Sequence, residues 1–285
     1  MDFVDRLKSK SNIGIGVFLL LNTLLVMWLF QNVVMGLIIY LISLTIALSP
    51  IGEWILRLQT GCKPLVRKDH LARLMPLFEE VHAKAKELDP SIPDDVKLFI
   101  SNDKEPNAFA TGRKTICLTK GFLEYDDEQI KATLAHEFGH LSNKDTDLIL
   151  VVTVGNLIVS VLFILYRFFF LVIAGFVGGA TRGLGGILVA IFVDLILVGM
   201  MWLWTKLGTA LVMHSSRQNE FNADAFAYHS GYGPALIGVL DSFHEHEVHT
   251  KGLWANLVSS HPDSDLRIAK LQELMEESSD KVESL

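Results

Sequence analysis

The sequence predicts an α-helical membrane protein with four spanning helices and a divided α+β domain outside the bilayer. Three observations predict it: long uncharged apolar stretches, short β-branched runs between them, and amphipathic helical patterns flanking those runs. From Ser11 to Gly52 there is no Asp, Glu, Lys or Arg, and none from Leu148 to Tyr166; a third apolar region fills most of Gly183 to Met213. About 20 apolar residues suffice to cross a bilayer as a helix. The spans expected are 13–30, 33–51, 148–166 and 186–205. Gln31 and Asn32 form a short turn between the first two. The Phe- and Gly-rich segment 167–185 reads either as an extension of the neighbouring helices or as a re-entrant loop.

Composition narrows the class. Half of the 285 residues are hydrophobic and a fifth charged, with a mean hydropathy of +0.36. Disorder, collagen-like repeats and a small disulfide scaffold are excluded. The net charge of −7 argues against nucleic-acid binding, which needs a basic face. Two cysteines, Cys62 and Cys117, with no CxxC, support neither a disulfide framework nor a cysteine zinc site, and read as ordinary thiols of a reducing compartment. Arg6, Lys8 and Lys10 precede an apolar run too long for a signal peptide, so the N-terminus reads as an uncleaved anchor.

Lys and Arg near span ends set orientation. The N-terminal flank and the segment after span two (Arg57, Lys63, Arg67, Lys68) are basic, and Lys206 and Arg217 follow span four. Only Arg167 and Arg182, between spans three and four, run against this pattern. The expected layout is therefore a first hairpin at 1–52, the first part of a cytoplasmic domain at 53–147, a second hairpin at 148–205 and the rest of that domain at 206–285. Within the domain, Asp69–Leu88 has helical spacing and ends before Pro90 and Pro93. The runs 96–101 and 115–119 read as strands. Asp126–Asn143 reads as a helix, with Asp126 and Gln129 at capping-box spacing. On it, Ile130, Leu134, Phe138 and Leu141 form one apolar stripe.

The decisive segment, His136-Glu137-Phe138-Gly139-His140, lies inside that helix. Residues i and i+4 sit about 40° apart around a helix, so both imidazoles leave the same face. That is the geometry two nitrogen ligands need to hold one Zn²⁺. Glu137, offset by about 100°, can act as general base on water without being a ligand. A chance HExxH in a chain of this length is roughly a one-in-a-hundred event; here it also sits on a capped amphipathic helix next to a membrane span. A catalytic zinc needs a third ligand and an open position. Glu220 and Asp224, again i and i+4, are the best candidates. Glu220 can ligate, while Asp224 can take a ring N–H from one histidine and fix its tautomer.

With these pieces in place, the chain resembles the membrane zinc metalloproteases of the HtpX family, relatives of the CAAX prenyl proteases. The matching segments are HEFGH at 136–140, NEFNAD at 219–224, NAFATG at 107–112 and His261-Pro262. CAAX prenyl proteases are larger and have more spans. The resemblance implies an α+β zincin-like fold of the Glu type, with one Zn²⁺ per chain held by His136, His140 and Glu220, and Asp224 behind them. It implies that Asn107, Ala108 and Phe109 flank a substrate cleft. It also implies a stress-response, quality-control role in a bacterial inner membrane, on misfolded membrane proteins and alongside other membrane proteases.

The remaining residues carry less. An edge strand at 107–112 beside the zinc would offer backbone groups to an extended substrate; otherwise the segment is a polar turn joining the two strands. His261 is a candidate donor to the oxyanion, or else a loop histidine. Arg217 could serve the same end but reads more readily as a topology determinant. His244, His246 and His249 resemble a second metal cluster in irregular polar surroundings, and His214 reads as interfacial. Asp194, near the middle of span four, needs a partner such as Arg167 or Arg182, or a wet cavity. Asn22 and Asn156 read as bridges between helices. Two rival functions stand: a CAAX-type processing endopeptidase, and a transport or scaffold protein with structural zinc, for which Glu137 would have no use.

Overall fold

The computed structural model describes residues 13–181, 184–244 and 264–283. The first two helices, α1 (Ile13–Phe30) and α2 (Val33–Ala47), form a tight hairpin. Asn32 caps α2, its side chain accepting the Met35 N–H at 3.1 Å. Gly36 lets the pair close: a Cβ there would stand 2.7 Å from the Met27 Cα. The second helix stops earlier than the expected boundary at Ile51. Ser49 accepts the Ile51 N–H at 3.2 Å, and Pro50 opens a new helix, α3 (Pro50–Gln59), bent by 74° from α2. A proline suits the first turn of a helix, and the residue before it is driven out of helical geometry.

The other two long helices are α6 (Asp145–Thr181) and α7 (Leu184–Ala227). Residues 167–181 therefore extend α6, and residues 184–185 already belong to α7. Val159–Phe176 and Leu188–Gly208 are each long and apolar enough to cross a membrane; α2 and α3 pass that test only as a bent pair, and Ile13–Trp28 is a shorter apolar helix. Asp194 has the partner it needs: Arg167 on α6 grips its carboxylate through Nε and through Nη2, the latter at 2.7 Å. Asn22 does not bridge helices. It is fully buried, yet neither its amide nitrogen nor its oxygen has a hydrogen-bond partner. The Asn156 side chain lies outside what is described.

Between the hairpins, β1 (Lys63–Pro64), α4 (Lys68–Leu88), β2 (Lys97–Ser101), β3 (Ala108–Thr111), β4 (Thr115–Thr119) and α5 (Asp127–Asn143) follow in order. The sheet order is β1-β2-β4-β3. The β2–β4 pair is parallel and the outer pairs antiparallel. The run 107–112 is thus largely a third strand, not a connecting turn. Gly112 (φ 63°) turns it back onto β4. After α7 a turn around Gly231 (φ 88°) leads into α8 (Gly233–His244), and α9 (Ser264–Glu283) follows.

Side chains alternate across a strand, so the sheet has two different faces. Leu98, Ile116 and Leu118 join the main core with Leu74, Phe78, Phe122, Ile130, Leu134, Phe138 and Leu240. Phe99, Thr115 and Cys117 face α3 instead: Arg57 lies over the Phe99 ring at 5.1 Å and donates to the Thr115 hydroxyl at 3.1 Å. Glu53 of α3 also accepts from Thr115 at 2.5 Å, and Arg113 makes a two-pronged pair with Asp147 at the start of α6. The sheet is thereby docked onto the helices that lead into the apolar bundle.

Candidate metal centre and cleft

The capping box read from the sequence is present, with Asp126 accepting the Gln129 N–H at 2.8 Å and Gln129 answering at 3.3 Å. It starts α5, whose apolar stripe is buried in the core. The opposite face meets α7. Gly139 makes this meeting possible, since a Cβ there would stand 2.8 Å from the Ala223 Cα, a backbone atom that cannot swing away. The close crossing brings Glu220 and Asp224 of α7 onto the histidine face of α5.

Three donor groups converge. His136 Nε2 and His140 Nε2 lie 3.2 Å apart, and Glu220 approaches them at 3.5 and 3.4 Å. A tetrahedron with arms of about 2.0–2.1 Å has edges of about 3.3 Å, so these spacings fit one small divalent ion. The ring nitrogens behind support that reading. His136 Nδ1 sits 2.9 Å from Asp224 Oδ1, and His140 Nδ1 sits 3.2 Å from Asp145 Oδ2. With each Nδ1–H donated backward, both Nε2 lone pairs face each other and a carboxylate. That arrangement is repulsive without a cation between them.

The electrostatics agree. Burial works against charge on both imidazoles, but Asp224 and Glu220 outweigh it at His136, as Asp145 and Glu220 do at His140, so both favour holding a positive charge. Burial likewise works against the Asp224 carboxylate. Hydrogen bonds from Arg267 and His136 overcome it and keep that acid ionised.

The model of Peptidase family M48 matches residues 74–275. The chain belongs to peptidase family M48. It is similar to Protease HtpX of Pseudomonas syringae pv. syringae (strain B728a), 31% identical over 78% of this chain and 79% of that one. It is also similar to Protease HtpX of Psychrobacter sp. (strain PRwf-1), 28% identical over 78% and 77% of the two chains. The crystal structure of S. mikatae Ste24p overlays 90% of this chain and 62% of its own with a TM-score of 0.45 at 19% identity. As an M48 protein the chain is a metallopeptidase, a hydrolase of peptide bonds, related to membrane proteases.

Glu137 projects toward β3 rather than into the trio. Its Oε2 accepts the Ala110 N–H at 2.5 Å. That N–H lies outside the β3–β4 ladder because Thr119 N–H donates to Asn107 O at 2.9 Å, which fixes the ladder so that Asn107, Phe109 and Thr111 pair with β4 while the backbone groups of Ala108 and Ala110 face outward. The outer edge of β3 therefore runs past Glu137. Asn107 and Phe109 line a groove of about 510 Å³ on the α3 side of the sheet, with Thr60, Gly61 and Lys63 forming its other wall.

Two residues packed against this centre escaped the sequence reading. Asp145 backs His140 from just past the helix end, where Lys144 takes a left-handed turn (φ 55°). Arg267 is 5% exposed; its Nε and Nη2 grip Asp224 at 2.8 and 2.6 Å, and its Nη1 lies 3.1 Å from Glu220. A signal for Arg267 existed: it shares the buried stripe of α9 with Ile268 and Leu271. His261, His246 and His249 lie outside the described residues, as do the side chains of His214, Arg217 and His244.

Proposed function

We propose that this M48 protein is an integral-membrane zinc endopeptidase that cleaves misfolded or damaged membrane proteins at the cytoplasmic face. The observation that carries this reading is the meeting of His136, His140 and Glu220 beside a free strand edge on which Glu137 already rests. His136, His140 and Glu220 would hold Zn²⁺, with Asp224 and Asp145 orienting the two imidazoles. When bound, the ion acidifies water and polarises a carbonyl. Glu137 takes the proton of the attacking water and delivers one to the leaving amine. Ala108, whose N–H and C=O point away from β4, and the Ala110 carbonyl would meet an extended substrate, which reads backbone rather than sequence and suits unfolded segments of many kinds. His261 is proposed as the donor to the oxyanion.

The proposed setting takes the four apolar stretches of the sequence as spans, two of which are helices long and apolar enough to cross a membrane. With the termini of both hairpins on the basic side, the segments 53–147 and 206–285 share the cytoplasm, and α5 leads directly toward α6. The catalytic edge would then lie at the membrane surface, where exposed loops of damaged membrane proteins could enter. A CAAX-type processing role is disfavoured by the small number of spans.

The test compares wild type with Glu137→Gln, both purified in detergent, stripped with chelator and reloaded with zinc, on an unfolded protein substrate. General acid–base groups contribute about 10²–10⁴-fold, so cleavage should fall by at least that lower bound with zinc content unchanged. Full activity in Glu137→Gln would sink the general-base assignment. Zinc binding without turnover in either protein would favour a structural site.

A further inference from the structure

Helix α3 is turned the opposite way to a helix of a water-soluble domain. Such a helix buries its apolar stripe and shows its charged side to water. In α3, Gly52, Glu53 and Leu56 are buried and Arg57 is partly buried, whereas Ile51, Trp54 and Leu58 are 58%, 53% and 61% exposed. At 100° per residue these three lie within about 60° of one another, as one outward stripe. The inward side is tied to the sheet. Glu53 accepts the Thr115 hydroxyl at 2.5 Å and the Lys114 N–H at 3.3 Å, and Arg57 donates to Thr115 at 3.1 Å. A Cβ on Gly112 would stand 2.6 Å from the Glu53 Cγ, so the stem of that acid lies on the turn between β3 and β4. The charged side of α3 faces protein and its apolar side faces out.

We propose that α3 is an interfacial helix, whose Ile51–Trp54–Leu58 stripe lies in the boundary between headgroups and acyl chains while its Glu53–Arg57 side seats the β3–β4 hairpin on the membrane surface. The proposal rests on the membrane setting proposed above. Continuity with α2 names lipid as the occupant. Only Leu48 and Ser49 separate the two helices, and the 74° bend between them lays α3 close to the membrane plane when α2 stands upright. The length of α2 agrees. Its 15 residues rise about 22 Å, short of the roughly 30 Å of a hydrocarbon core. A helix sunk about 5–10 Å into the boundary at its end makes up the difference.

The side chains suit that depth. Trp is a residue of membrane boundaries, with an apolar body and a polar N–H, and Lys63, exposed just past the helix, sets a cation where anionic headgroups lie. A deeper path is closed to α3, because Glu53 and Arg57 would draw Thr115 and the Lys114 backbone of the sheet into hydrocarbon with them. The consequence reaches the cleft. The β3–β4 turn is held by α3 through Glu53 and by the start of α6 through the Arg113–Asp147 pair. Lipid contact at α3 thereby sets the height of the outer β3 edge above the bilayer.

The test places single spin labels on the full chain, carrying Cys62→Ser and Cys117→Ser, in vesicles of phosphatidylethanolamine and phosphatidylglycerol. Labels go on Ile51→Cys, Trp54→Cys and Leu58→Cys, with Glu79→Cys on the exposed side of α4 as the aqueous control and Ile164→Cys on α6 as the lipid control. At all three α3 sites, collisions with oxygen should outweigh those with a water-soluble nickel chelate, at one shared depth within about 10 Å of the boundary. Nickel contact equal to that at Glu79, depth rising steadily from Ile51 to Leu58, or labels shielded from both reagents by another protein would each overturn the proposal. With both cysteines kept, Trp54→Phe should remove fluorescence that lipids brominated near the headgroup quench better than lipids brominated at the chain end; no such loss also overturns it. None of these readouts needs peptidase activity, so the outcome is separate from that of the Glu137→Gln experiment. Ile164 in water would overturn the membrane setting as a whole, whereas Ile164 in lipid with Trp54 in water overturns the placement of α3 alone.

Discussion

At the scale of single residues, the centre is a set of imidazoles whose tautomers are fixed from behind. Asp224 serves His136 and is itself held by Arg267. Asp145 serves His140 from just past the end of α5. Carboxylates behind metal-binding histidines typically contribute 10–100-fold in metal affinity. Asp145→Asn should therefore weaken zinc binding by that factor, read by competition with a chelating dye, and leave the helical circular dichroism unchanged. Unaltered affinity would show that Asp145 merely caps the turn at Lys144. The residues legible in the sequence were those related by i and i+4 on one helix, because local geometry alone defines their common face. Asp145 and Arg267 were not legible. One depends on a left-handed turn after α5, and the other on which face of α9 lies against α7.

At the scale of elements, the helix crossing of α5 with α7 decides whether the donors meet. Gly139 is the contact point, and alanine there has two opposed effects. Alanine favours a helix over glycine by about 1 kcal/mol. Its methyl group would collide with the Ala223 backbone, and forcing extra volume into a packed contact costs typically 1–3 kcal/mol. The collision should win, because the atoms met are main chain and α7 must move as a unit. Gly139→Ala should lower both the thermal midpoint and zinc retention during dialysis. A raised midpoint with full zinc retention would mean that α7 yields easily. The elements themselves were unevenly legible. The capped helix α5 and the strands β2 and β4 declare themselves by periodicity and β-branching. Strand β3 does not, because Ala-Phe-Ala-Thr lacks that signature and becomes a strand only through its ladder with β4. The break between α2 and α3 was marked by Pro50, but its 74° bend depends on how α3 docks against the sheet through Glu53 and Arg57.

At the scale of the whole molecule, the proposed zinc site joins two stretches of chain that the long α6–α7 hairpin separates. His140 and Glu220 stand 80 positions apart, and the ion would add a link between their helices to the direct contact at Gly139. A ligand that binds only the folded state stabilises it in proportion to the logarithm of its concentration over its dissociation constant, by about 4 kcal/mol at a thousandfold excess. Chelation should therefore lower the thermal midpoint of the detergent-solubilised protein, and zinc should restore it. Glu137→Gln should show the same shift, since Glu137 lies on the Ala110 N–H and not among the donors. Glu220→Gln should show little or none, since it removes the charged ligand from α7. Circular dichroism at rising temperature reads all three proteins. If chelation leaves the wild-type midpoint in place, the α5–α7 crossing at Gly139 and the His136–Asp224 contact already hold the two stretches together, and metal binding adds function without adding cohesion.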